Sequence, residues 1–164
     1  MKLKQDKGIT LIALIVTIII LLIIAGIAIY NGKETIQRAN LEALRTNMLL
    51  IEAKAKGLVE EANFQLGPEK TGDLANIRKS IYVDENGLSA ASEISNIPSE
   101  IPTGDNVYVF TSNTASKWGL DNVYSEREEG ENYLIAFDEE NASVEIYNTL
   151  GYQGRYSLTE IDEL

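Results

Sequence analysis

The pattern of apolar and polar positions changes character twice along the chain. From Ile9 to Tyr30 no side chain is charged, and the run is almost wholly Ile, Leu, Val and Ala. As a helix rising about 1.5 Å per residue it reaches roughly 33 Å, enough for a hydrocarbon core of about 30 Å. A different pattern follows. Leu41, Leu44, Met48, Ile51, Ala55, Leu58 and Ala62 succeed one another at spacings of three and four, which places them on one stripe of a helix. Charged residues fill the remaining surface, and Glu34 with Arg38, Arg38 with Glu42, and Glu52 with Lys56 stand four apart, a spacing that supports a helix. No proline interrupts the chain before the breaker pair Gly67-Pro68. The spacing therefore predicts one helix from about Ile9 to about Phe64, apolar all round in its first half and amphipathic in its second.

Beyond Pro68 a short helix is expected from Asp73 to Tyr82, capped by Asp73. Asn86 to Asp105 is punctuated by Gly87, Pro98, Pro102 and Gly104 and reads as loop, with one helical turn around Ala90 to Ile94. Strand signals come next. Val107 to Thr111, Tyr133 to Phe137 and Ser143 to Tyr147 are β-branched and aromatic, and Asp138 to Ala142 joins the last two as a hairpin. Trp118 to Tyr124 is expected as a further edge strand. Ser157-Leu158-Thr159-Glu160 has the spacing of a capping box and opens a final turn of helix. The small antiparallel sheet needs an apolar cover, and the stripe from Leu41 to Ala62 supplies it.

Charge orients the apolar segment. Lys2, Lys4 and Lys7 crowd the leading tail, so by the positive-inside rule that tail stays in the cytoplasm and the bulk of the chain faces outward. A cleaved secretory signal competes, since Gly26-Ile27-Ala28 offers a small-x-small site. Such signals hold only about 7–15 apolar residues, whereas this run is longer and passes straight into a helical pattern. A retained single span is the better reading.

Lys7-Gly8 followed by Ile9-Thr10-Leu11-Ile12 resembles the prepilin junction of type IV pilins and type II secretion pseudopilins. The resemblance covers roughly the first thirty residues. It implies that a prepilin peptidase cuts between Gly8 and Ile9 and that Ile9 is then N-methylated. It further implies that the apolar segment stays as anchor and that an assembly ATPase, a membrane platform protein and other pilin subunits are partners. Two departures stand out. Ile9 occupies a place usually held by Phe. Ala13 occupies the place of a Glu whose carboxylate, in the family, pairs with the freed amino terminus of a neighbour. A carboxylate in hydrocarbon costs about 2.5–3.5 kcal/mol unless partnered, and with Ala13 neither that cost nor that pairing arises. The chain thus resembles a Gram-positive-like variant or a minor, tip-located subunit. Gly26, Asn31 and Gly32 are the weak points of the spine, because Gly costs about 1 kcal/mol relative to Ala inside a helix and no proline is present to bend it.

Composition narrows the function. The 164 residues carry a net charge of −11, and loss of Met1 to Gly8, with three lysines and one aspartate, takes this to −13. Such a chain repels nucleic acid. With no cysteine and no histidine it lacks the thiol nucleophile, the commonest general base and the commonest zinc ligands, so no enzyme is expected. Pro-acidic loops are the only metal candidates. Glu126, Glu128, Glu129 and Glu131 form one, and Asp138, Glu139 and Glu140 at the hairpin tip form a second, a weak calcium candidate. Solvated turns are the plainer reading of both. Tyr108, Tyr124, Tyr133, Tyr147, Tyr152 and Tyr156 suggest an adhesive surface, but most of them fall in strands and read as half-buried sheet residues.

The expected fold is α+β and pilin-like, a long N-terminal helix packed on a small antiparallel β-sheet. Residues 1–8 form a leader, 9–32 the transmembrane half of the helix, 33–66 its amphipathic half and 67–164 a globular head. The expected role is a structural subunit of a type IV pilus-like or type II secretion-like filament, carried in the cytoplasmic membrane and then on the cell surface, with no cofactor. The alternative is a single-pass, membrane-anchored extracellular binding domain that never polymerises.

Overall fold

The computed structural model describes residues 6–164, with side chains from Leu11 onward except that of Asn31. The first five residues of the expected leader lie outside the described residues, and Lys7, Gly8 and Ile9 are described as backbone only. Helix α1 runs from Asp6 to Leu66 without interruption, as the absence of proline predicts. The chain divides into two compact units, one up to Glu42 and the other from Ala43 to Leu164.

In the second unit α1 lays its apolar stripe on a five-stranded antiparallel sheet. Met48, Ile51, Ala55, Val59 and Ala62 are fully buried, and Leu66 extends the stripe. Val59 rather than Leu58 is the fully buried member of its turn, since it lies four after Ala55 and continues that row. The strands β1 (Ser89–Ala90), β2 (Val107–Val109), β3 (Tyr133–Asp138), β4 (Ser143–Tyr152) and β5 (Arg155–Ser157) stand side by side in sequence order. β3 pairs with β4 from Tyr133 opposite Asn148 to Asp138 opposite Ser143, the expected hairpin.

Both faces of β3 are covered. Tyr133 approaches Asn47 of α1, its hydroxyl 3.5 Å from Nδ2, and alternation puts Ile135 and Phe137 on that same face. Leu134 on the other face joins Ala91, Ile101 and Val107, with Ile94 and Ile97 against them. The loop-like segment after Asn86 therefore serves as a lid on the second face of the sheet, where the sequence showed need of only one cover.

The segment Trp118 to Tyr124 is not an edge strand. It belongs to two short helices, α3 (Ser112–Trp118) and α4 (Asp121–Ser125), split by Gly119 in the left-handed conformation. Thr111 caps α3 by accepting the backbone N–H of Thr114, and Trp118, Tyr124 and Tyr133 gather round Phe110. A Thr cap followed three residues on by another hydroxyl outweighed the β-propensity of Trp, Val and Tyr.

After α1, helix α2 (Leu74–Arg78) begins where Asp73 accepts the N–H of Asn76, as expected, and widens into a turn of π-helix over Lys79–Glu85. At the other end, Gln153 and Gly154 both take positive φ, the two-residue turn that matches strand twist, and join β4 to β5. Ser157 and Glu160 close the capping box of α5 (Leu158–Asp162). Arg45 of α1 ties α5 down, donating from Nη2 to the Asp162 carbonyl at 2.7 Å.

Candidate functional site

Two places bear on function. The first is the span. Every large side chain from Leu11 to Tyr30 is about half exposed or more, although each is apolar, so in water this cylinder would carry an unbroken hydrophobic surface. It is long and apolar enough to cross a membrane. The helix satisfies its own backbone, and Thr17 turns its hydroxyl to the Leu14 carbonyl at 2.8 Å, so no polar group is left facing lipid there. Ala13 sits within this surface and brings no charge to it. α1 passes through Gly26, Asn31 and Gly32 as helix, and a methyl group added at either glycine would meet nothing within 4 Å. Beyond the span the Glu34 and Arg38 pair forms at 2.6 Å.

The second place is a cleft of about 410 Å³ in the head, lined by Leu66, Leu74 and Phe137 and by Lys70, Arg78 and Asn106, with the hairpin tip at its edge. Its floor is built by three elements. α2 carries Arg78 out of its last turn, the π-helical turn carries Tyr82, and the β3 to β4 loop folds Glu139 inward until only 3 % of it is exposed. The guanidinium grips the carboxylate with both arms, Nε to Oε1 at 2.7 Å and Nη2 to Oε2 at 2.8 Å, and the Tyr82 hydroxyl donates to Oε1 at 3.1 Å. This bond to Glu139 holds the Arg78 proton more firmly than usual, against the opposing effect of burial. Burial pushes the Tyr82 phenol well above its ordinary range, and the carboxylate beside it adds to the effect. Tyr82 also stacks on Phe137, ring centres 4.0 Å apart.

The hairpin tip is thus not a solvated turn throughout, and Glu139 is the correction. The oxygens of Asp138 accept the Asn141 backbone at 3.0 Å and its side-chain amide at 2.7 Å, and these bonds, the amide first, hold that carboxyl below its usual range. Glu140 alone of the three weak calcium candidates is exposed. Among the described residues no three carboxylates gather as a metal site would require. The acidic run before β3 is organised round its own cation. Arg127 lies 3.8 Å over the Tyr124 ring and donates to the carbonyls of Tyr124 and Glu131. The pairing of Arg78 with Glu139 spans 61 positions, and nothing in the local pattern of either residue announced it.

Compared with known proteins, the chain matches no family model, no curated protein and no solved structure. The span and the packed spine, together with the residues at their junction, are what a functional reading must rest on.

Proposed function

We propose that this chain is a structural subunit, pilin or pseudopilin, of a type IV pilus-like or type II secretion-like filament. The observation that carries the reading is one helix with two solvents, a fully apolar exposed stretch from Leu11 to Tyr30 that continues without a break into a stripe buried on an antiparallel sheet. Lys7-Gly8-Ile9-Thr10-Leu11-Ile12 supplies the processing junction. In this reading the span holds the subunit in the cytoplasmic membrane with the head outside. A prepilin peptidase cuts after Gly8, an assembly ATPase and a platform protein draw the subunit out, and other pilin subunits receive its spine. Ile9 becomes the amino terminus and the candidate for N-methylation. Ala13, bringing no acid to the membrane, suits a minor or tip position.

Ala13 also favours the second reading, an anchored extracellular binding domain that does not polymerise, because the charge contact that sets register between pilin spines is missing. The deciding experiment is intact mass and amino-terminal sequencing of the full chain recovered from membranes, with and without a prepilin peptidase. A chain that begins at Ile9 only when the peptidase is present is the expected result. A chain that begins at Met1 in both overturns the filament reading and leaves the anchored domain.

A further inference from the structure

Helix α1 has a second apolar face in the head unit. Met48, Ile51, Ala55, Val59 and Ala62 point at the sheet, while Ala43, Leu50, Gly57 and Phe64 recur every seven residues on the opposite side, with Thr46 and Ala53 between them. This second row is exposed. Phe64 is 86 % accessible and Leu50 43 %, with Leu49 beside it at 41 %. Apolar residues at intervals of seven, interleaved at plus three, make the seam by which one helix packs along another. In sequence the same spacing reaches back through Ile36 and Ile29, with Ala39 and Gly32 between them.

We propose that this face is a parallel, in-register contact with a second copy of the chain in the same membrane. Two arguments choose the occupant. Copies inserted in one bilayer share orientation and depth, so their helices meet parallel and at the same level, with like positions facing. In that arrangement the residue before each seam position faces the partner residue five further on. Lys56 then meets the partner's Glu61, and by symmetry Glu61 meets the partner's Lys56. The neighbouring combinations, Glu42 with Asn47 and Leu49 with Lys54, bring no like charges together. Lys56 also pairs with Glu52 of its own helix at 2.9 Å, a surface pair that leaves its remaining N–H groups to share. Small residues at Ala43, Ala53 and Gly57 let the backbones approach closely. Three turns of contact are too little to join two chains in dilute solution, so confinement to the membrane is part of the inference. It rests on the membrane-span part of the function proposed above and not on the filament.

The absence of cysteine makes the test direct. Single variants Ala43→Cys, Leu50→Cys and, as a control remote from the seam, Glu85→Cys are made in the full chain, inserted in bilayers without any peptidase and mildly oxidised. Disulfide-linked dimer is expected from Ala43→Cys and Leu50→Cys and not from Glu85→Cys. In the Leu50→Cys background, Lys56→Glu or Glu61→Lys should each lower the dimer roughly two- to fivefold, the range of exposed ion pairs, and the double reversal should restore it. No dimer at either seam position overturns the inference. So does dimer that forms only between a chain carrying Ala43→Cys and one carrying Leu50→Cys, because the helices would then be offset by two turns. Whether the leader is cut does not enter this readout, so failure of the filament reading and failure of the contact are seen separately.

Discussion

Glu139 shows how much a single side chain can hold when it is folded inward. Replacing it with Gln would leave the Arg78 guanidinium, itself mostly buried, without its counter-charge, and breaking a pair of this kind costs about 3–5 kcal/mol. Urea unfolding of Glu139→Gln should show that loss, and replacing both residues with Met should cost clearly less. Gly151 is a second such position. It bulges β4 at φ +61, where Asn148 accepts the N–H groups of Leu150 and Gly151, and an added Cβ would lie 2.3 Å from the Arg155 carbonyl. Gly151→Ala should destabilise the head by about 1–3 kcal/mol or more and loosen the β4 to β5 pairing, readable by hydrogen exchange. Titration follows from the buried phenols. Burial raises Tyr82 and Tyr133 above the ordinary value of 10.0. A raised folded value means full stability below pH 10 and loss above it, as the unfolded chain sheds protons that the folded one keeps. Stability should therefore fall from about pH 10 upward by about 1.4 kcal/mol per pH unit for each of the two phenols. Calorimetry at stepped pH would follow the fall, and ultraviolet titration should find these two ionising only as the head unfolds. None of these three residues was legible as important in the sequence. Glu139 lay in an ordinary acidic run, and its partner is fixed by the path of the whole chain.

Among the elements, the long helix was the most legible, because period and proline spacing are local properties. Its end before Gly67, the Asp73 cap, the hairpin across Asp138 and the final capping box were readable for the same reason. Trp118 to Tyr124 was not. Bulky aromatic and β-branched residues favour strands when they line a sheet, but here they cap the end of the sheet from helices, a tertiary choice that composition does not record. The helix invites two tests. Val59→Ala removes two methyl groups from a fully buried site and should cost about 1–2 kcal/mol, whereas Leu58→Ala, only partly covered, should cost less; thermal melts of the two would rank them. At the membrane edge Gly32 stands in open space at a helical φ, so Gly32→Ala should raise the helix content or stability of α1 by about 1 kcal/mol, measurable by circular dichroism in detergent.

At the scale of the whole molecule the head brings its two ends of sequence together. Arg45, two residues into the second unit, is bound to Asp162, 117 positions later, and Ile161 is fully buried in the same unit. Synthesis runs the other way. The span emerges from the ribosome first and can enter the bilayer at once, while the stripe from Met48 to Leu66 must wait for β3, β4 and α5 before anything exists to cover it. Biogenesis is therefore split in time, anchoring during translation and closure of the head only after nearly the last codon has been read. During that interval an apolar helix face stands open outside the membrane, in need of a chaperone or of another nascent copy, and a ribosome stalled before β5 would leave a chain already moored and still unfolded.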